Sequence, residues 1–195
     1  MSRLSSPIQS MQDHYTVVVV GSGYGGGIAA SRLARAGQKV CLLERGREIR
    51  PGEYPATELE AAEEIQLNTP DGRIGSRLGM FDFHVNKSIN AVVGCGLGGT
   101  SLINANVSLK AVPGVWADPR WPGQVIADLP TLVEEGYQAA WEMLPPNPYP
   151  ADYPPIAKLE ALRACAESTG DGKSFYPPPI NVTFEAGTNK AGVHQ

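Results

Sequence analysis

Three glycines, Gly21, Gly23 and Gly26, and a carboxylate about 20 residues further on, Glu44, have the types and spacing that can hold a dinucleotide. The first glycine permits a tight turn, the second lets backbone approach a pyrophosphate, and the third lets a helix lie close on a strand. Glu44 can accept hydrogen bonds from both hydroxyls of a ribose and would repel a 2′-phosphate, which argues against NADP. A second stretch, AVVGCGLGGTSLINANVS at residues 91–108, carries Gly94, Gly96, Gly98 and Gly99, followed by small and hydroxylated side chains. Glycine at that density brings backbone close either to another backbone, as in a plain packing loop, or to a ligand. Thr100 and Ser101 are able to cap a short helix there.

These groups need elements to position them. Four consecutive valines, Val17–Val20, are too β-branched for a helix start and read as a buried strand that runs into Gly21. Ala29, Leu33 and Ala36 recur at helical spacing over residues 25–36, Gly37 stands where a helix ends, and KVCLLE at 39–44 reads as a second strand. The sum is a β-α-β unit whose helix presents its first N–H groups to an anion. A loop over residues 45–57 follows, then a short surface helix over 57–67 and a turn at Pro70, Asp71 and Gly72. Phe81, Phe83 and Val85 alternate with Asp82, His84 and Asn86. That period predicts a half-buried strand, with Met80 in the loop before it and His84 making a solvent or loop contact. Residues 91–93 form an apolar strand.

At 195 residues, 42% hydrophobic and 18% charged, the chain has the composition of a globular protein of one or two domains. Its net charge of −4 offers no basic field for nucleic acid, and no apolar run is long enough to span a bilayer. The N-terminal residues 1–13 lack an apolar core and read as a polar tail, not a signal peptide. Cys41, Cys95 and Cys165 cannot all pair internally and show no metal spacing, so a reducing, cytoplasmic compartment is the simplest expectation.

GSGYGG at residues 21–26, Glu44-Arg45-Gly46 after the second strand, and the Gly-x-Gly-x-Gly-Gly-x-Ser-Leu-Ile-Asn run at 94–104 together resemble the glucose-methanol-choline oxidoreductases. The likeness is to their cholesterol-oxidase-like branch, which favours Tyr24 within the first motif. It covers residues 14–110 and implies FAD in place of NAD. Carried onto this chain, it makes Gly21, Gly23, Tyr24, Gly25 and Gly26 the pyrophosphate turn and Glu44 the ligand of the adenosine ribose. It sets Gly99, Thr100, Asn104, Ala105 and Val107 along the flavin side, with Asn104 near the ring. Thr100 and Ala105 depart from the glycines common in that branch. Cys95 reads as a small buried side chain, not a point of covalent flavin attachment. The implied reaction is oxidation of an alcohol: a base takes the hydroxyl proton while carbon delivers hydride to the flavin.

Beyond Ser108, residues rich in Pro, Trp and Gly form a connecting loop. Asp128 reads as an N-cap and Pro130 as an early helical position. Leu132, Val133, Tyr137, Ala140, Trp141 and Leu144 follow at helical spacing, with Tyr137 and Trp141 as core. PPNPYPADYPP at 145–155 sustains neither helix nor central strand and marks an internal boundary. A helix over 155–168 and an edge strand over 180–184 are expected next. The tail at 188–195, with His194, shows no packed element.

The expected organisation is therefore a polar tail (1–13), an FAD-binding region (14–110), a connecting loop and helix (111–150) and the start of a further region (151–195). The fold class is α/β, a Rossmann-like FAD-binding βαβ unit forming an incomplete N-terminal part of a larger two-domain flavoprotein. No valine-rich third parallel strand with its crossover helix follows Glu44 at short range. His14, His84 and His194 stand outside the family's catalytic motif, so the catalytic base is expected outside this chain and the isolated chain is expected to be inactive. The implied partners are a small-molecule alcohol and the C-terminal portion as a separate chain. Two other readings stand beside this one: a non-catalytic truncated or split chain that needs a partner polypeptide, and an NAD-linked dehydrogenase. The second glycine-rich stretch and residues 44–46 weaken the latter.

Overall fold

In the computed structural model, which describes residues 3–187, the valine run forms β1 (Val17–Val20). It is followed by α1 (Tyr24–Arg35) and then by β2 (Val40–Leu43). β1 and β2 are parallel, with Val17 opposite Val40 and Val20 opposite Leu43. Arg32 and Arg35 in the last turn of α1 complement its negative end. The strand is present but not buried as expected: Val18 and Val20 are 55% and 82% exposed. Successive strand residues point to opposite faces. α1 lies on the face of Val19, and the Val18 and Val20 face receives no helix from this βαβ unit. The sheet holds two strands among the described residues, without the third parallel strand that a nucleotide-binding half would use.

The predicted helix over 57–67 is cut short. α2 (Glu58–Glu63) starts at a capping box, in which the Thr57 hydroxyl accepts from Glu60 N–H and the Glu60 carboxylate accepts from Thr57 N–H. Residues beyond Glu64 then turn into β3 (Ile65–Thr69), because Ile65 and Leu67 find strand partners. β4 (Gly72–Gly75) returns antiparallel across Pro70 and Asp71, where the turn was expected. β5 (Phe81–His84) and β6 (Ala91–Gly94) complete a four-stranded sheet in the order β4-β3-β5-β6, with β3 and β5 parallel.

On β5 the expected sides are reversed. Asp82 is 5% exposed, whereas Phe81 and Phe83 are only part-buried. Asp82 sits beside Gln66 of β3 on an interior strand, and Arg45 reaches over that face. Met80, just before the strand, is 2% exposed and is the largest fully buried side chain described.

The polar tail is docked. Glu48 accepts from Leu4 N–H, Ser5 N–H and the Ser5 hydroxyl at 2.7–2.9 Å. These bonds, with the Leu4 amide first, bring the Glu48 carboxyl from 4.5 down to about 2. A folded value below the unfolded one means the docking is fully supported above pH 4.5 and lost as pH falls through about 2. The amide resonances of Leu4 and Ser5 should therefore titrate with a midpoint near 2. A midpoint at the ordinary glutamate value would show that Glu48 does not hold the segment.

A second compact unit begins at Ala105, whereas the first region expected from the family resemblance ends at residue 110. Its helices are α3 (Pro113–Trp116), α4 (Gly123–Met143) and α5 (Ala157–Ser168). α4 does not start at Asp128. Pro122 is its N-cap and Pro130 lies inside the helix, which continues despite the missing donor. Tyr137 and Trp141 are half-buried with ring centroids 6.2 Å apart, and the Lys110 ammonium lies 4.7 Å over Trp141. In place of the edge strand over 180–184 there are single bridges from Ile180 to Val107 and to Asn147. Three prolines immediately before Ile180 cannot donate, so no ladder extends there. His194 and the rest of the expected tail lie outside the described residues. No helix among the described residues is long and apolar enough to cross a membrane.

Candidate functional site

The first glycine motif divides its work as spacing predicts. Gly21 has φ +91°, a left-handed turn that favours glycine, and its N–H donates to the Leu43 carbonyl at 2.7 Å. A Cβ on Gly26 would lie 1.9 Å from the Gly21 carbonyl oxygen, so α1 approaches β1 only because residue 26 is glycine. Gly23 and Gly25 differ: a Cβ on either would meet no protein atom within 4 Å. The protein's own packing does not require glycine there, and the open space fits a bound group that must come up to the backbone. Gly23 is the N-cap of α1 and offers no side chain. The helix bond from Gly27 N–H to the Gly23 carbonyl, 2.8 Å, leaves the amides before it at an anion-binding end.

Glu44 stands at the end of β2, held by donors from both sides. Its Oε2 accepts from Ser22 N–H at 2.9 Å and the Ser22 hydroxyl at 2.6 Å, and its Oε1 accepts from Gly46 N–H at 2.8 Å. Burial pushes its carboxyl up; the hydrogen bonds from Ser22, Gly46 and Arg45 N–H outweigh burial and hold it below the ordinary glutamate value. It is therefore a carboxylate at neutral pH. Ser22, 6% exposed, also accepts from Gly98 N–H at 2.9 Å, so one hydroxyl joins the first motif, Glu44 and the second glycine stretch. Sequence reasoning passed over Ser22 as a variable position between two glycines; its buried hydroxyl is the only signal, and spacing does not display it.

The second stretch packs backbone on backbone. Cβ atoms would lie 2.7 Å from Gly23 Cα if placed on Gly99, and 2.3 Å from Gly96 N if placed on Gly46. Gly98, with φ +108°, is the N-cap of a short 3-10 turn at Gly99–Leu102, so Thr100 and Ser101 do not cap it. The Thr100 hydroxyl instead accepts from Gly94 N–H at 3.3 Å, and the Ser101 hydroxyl donates to the Gly98 carbonyl. Of the two alternatives read from the glycine density of this stretch, packing accounts for all four glycines, since a Cβ on Gly94, Gly96, Gly98 or Gly99 would lie 2.3–2.8 Å from protein atoms; the open space lies at Gly23 and Gly25 of the first motif.

Asn104 Nδ2 donates to the Tyr24 hydroxyl at 2.5 Å, which brings together two of the residues selected from sequence. Ala105 and Val107 belong to the second unit, where Val107 is bridged to Ile180. Cys95 is 3% exposed, with Sγ directed at the Arg77 carbonyl. A cavity of about 530 Å³ runs along β2, with Leu43, Glu44, Gly46 and Leu97 among its walls. Ile8 and Met11 from the docked tail line it too. Walls of mixed polar and apolar character beside a carboxylate suit a base and its ribose. The polar composition of residues 1–13 gives no sign of the tail's part in this wall, although Leu4, Ile8 and Met11 all line it.

Residues 16–52 match the family described as an FAD binding domain. The chain is 30% identical over 176 residues to a cholesterol oxidase of Mycobacterium tuberculosis, covering 89% of this chain and 28% of that relative. A cholesterol oxidase of Acinetobacter baumannii is 26% identical over 175 residues, 87% of this chain and 29% of the relative. A long-chain-alcohol oxidase of Arabidopsis thaliana is 31% identical over 131 residues, 66% of this chain and 15% of the relative. The chain thus spans less than a third of the length of the curated cholesterol oxidases it matches. The matched residues are β1, α1, β2 and the turn carrying Glu44, and FAD is the cofactor they take.

Proposed function

We propose that the chain is the FAD-binding N-terminal portion of a flavin-dependent oxidoreductase that oxidises an alcohol, sterol-like or long-chain, at a CH–OH group. The observation that carries this reading is the open space at Gly23 and Gly25, at the N-terminus of α1 in a turn whose Ser22 is hydrogen-bonded to Glu44. The relatives, cholesterol oxidases and a long-chain-alcohol oxidase, support an alcohol as substrate. In this reading the backbone of residues 21–26 holds the pyrophosphate and Glu44 accepts from the adenosine ribose. Gly99, Thr100 and Asn104 serve the flavin side, where Tyr24 orients the Asn104 amide. FAD, when bound, supplies the hydride acceptor. The chain's own residues bind and orient, and the proton acceptor comes from outside the residues named. A second reading is a non-catalytic split chain completed by a partner polypeptide; the 82% exposure of Val20 on an apolar strand favours it.

Competition separates this site from a general flavin site. ADP, which carries the adenine, ribose and pyrophosphate, should displace FAD from the chain, and FMN should not, as read by flavin fluorescence. FMN binding as tight as FAD binding would overturn the assignment of Glu44 and residues 21–26.

A further inference from the structure

Three polar or charged residues are buried among those described, Ser22, Gln66 and Asp82, and all three belong to one connected network. Ser22 holds Glu44, as above. Arg45, the next residue, sends its side chain the opposite way, into the four-stranded sheet. Its Nη2 donates to Asp82 Oδ2 at 2.9 Å, and its Nη1 donates to the Arg77 carbonyl at 3.0 Å and to Gln66 Oε1 at 3.3 Å. The other Asp82 oxygen, Oδ1, accepts from Asn68 Nδ2 and faces His84 Nε2 at 3.2 Å. Gln66 is fixed in turn by donating to the Gly79 carbonyl.

From this geometry we infer that Asp82 is a positioning residue for the FAD site, acting through Arg45; the inference rests on the reading of Glu44 given above. Residues 44–46 form one short turn. Its first member presents the carboxylate, and its last donates N–H to that carboxylate while fitting against Gly96 with no room for a Cβ. The middle member is the only one anchored to the sheet. A guanidinium held by three acceptors in fixed directions sets the rotation of the turn, and a carboxylate 5% exposed is a fixed post because it is paired. Releasing the post lets the turn rotate and takes Glu44 out of register with Ser22.

Amide hydrogen exchange and FAD titration on the full chain test this. In Asp82→Asn, exchange at the Ser22 and Gly46 amides without cofactor should accelerate about tenfold while the amides of α1 keep their rates, and the Kd for FAD should rise about tenfold. In a Glu44→Gln background the same substitution should add less than about threefold, because the group it positions has already been altered. Arg45→Lys, which keeps charge but not the fork, should reproduce the exchange pattern and serves if Asp82→Asn does not fold. Unchanged exchange at Gly46, uniform acceleration at every amide, or fully multiplicative effects on Kd would each overturn the inference. A wild-type chain that takes up no FAD would overturn the proposed function, and the exchange measurement would still decide this one.

Discussion

Gly26→Ala is expected to abolish FAD binding and to destabilise the first unit by about 3 kcal/mol or more. The methyl group would sit 1.9 Å from the Gly21 carbonyl oxygen and 3.4 Å from Val19 Cγ1. The first of these is backbone, so no side-chain rotation relieves it. α1 would have to lift away from the end of β1, carrying with it the amides that face the anion and the Gly23 backbone on which Gly99 rests. Gly25→Ala is the matched control. Its Cβ meets no protein atom, so the fold should hold while FAD affinity falls. Thermal unfolding of the apo chain and FAD titration of both variants distinguish the two roles: Gly26 is needed by the protein, Gly25 by the ligand. Equal stability of Gly26→Ala and wild type would contradict the packing.

Glu44→Ala should weaken FAD by about 1.5–3 kcal/mol, the range for a hydrogen bond to a charged group. Two effects contribute. The ribose loses its acceptor, and Ser22 and Gly46 lose the carboxylate that joins them. Glu44→Gln separates these effects, because the amide keeps one acceptor oxygen while its nitrogen faces donors. If the carboxylate serves ribose, both variants should lose affinity for FAD and for ADP alike. An unchanged affinity in both would remove Glu44 from the site. Loss of apo stability without loss of affinity would leave it a structural acid only.

The β-α-β unit was legible because each of its parts has a local cause: four β-branched residues, a left-handed Gly21, a helix period and a carboxylate at the end of the second strand. The four-stranded sheet was only half legible. Ile65 continues the helical spacing of Leu59 and Ala62, whereas Ile65 and Leu67 alternate as in a strand, and β5 supplied the partner that decided between the two. β4, a short strand with Gly at both ends, carries almost no propensity of its own. Asp82 defeated the alternation rule because its burial is set by Arg45, 37 residues earlier. Likewise the exposure of Val18 and Val20 is not written in their side chains, which are those of a buried strand. It reflects which faces α1 and β2 cover. In the site, the glycines and Glu44 were legible from spacing, whereas Ser22, the hydroxyl that joins them, became visible only once residues 22, 44 and 98 were seen side by side.

The most direct test of the account is whether the wild-type chain holds FAD. Purified chain incubated with FAD and passed through a desalting column should emerge yellow, with a flavin band in a ratio near one per chain, and ADP in excess should remove the colour. A colourless chain that takes up no FAD under these conditions would contradict the claim that residues 21–26, Glu44 and the second glycine stretch form a competent FAD site.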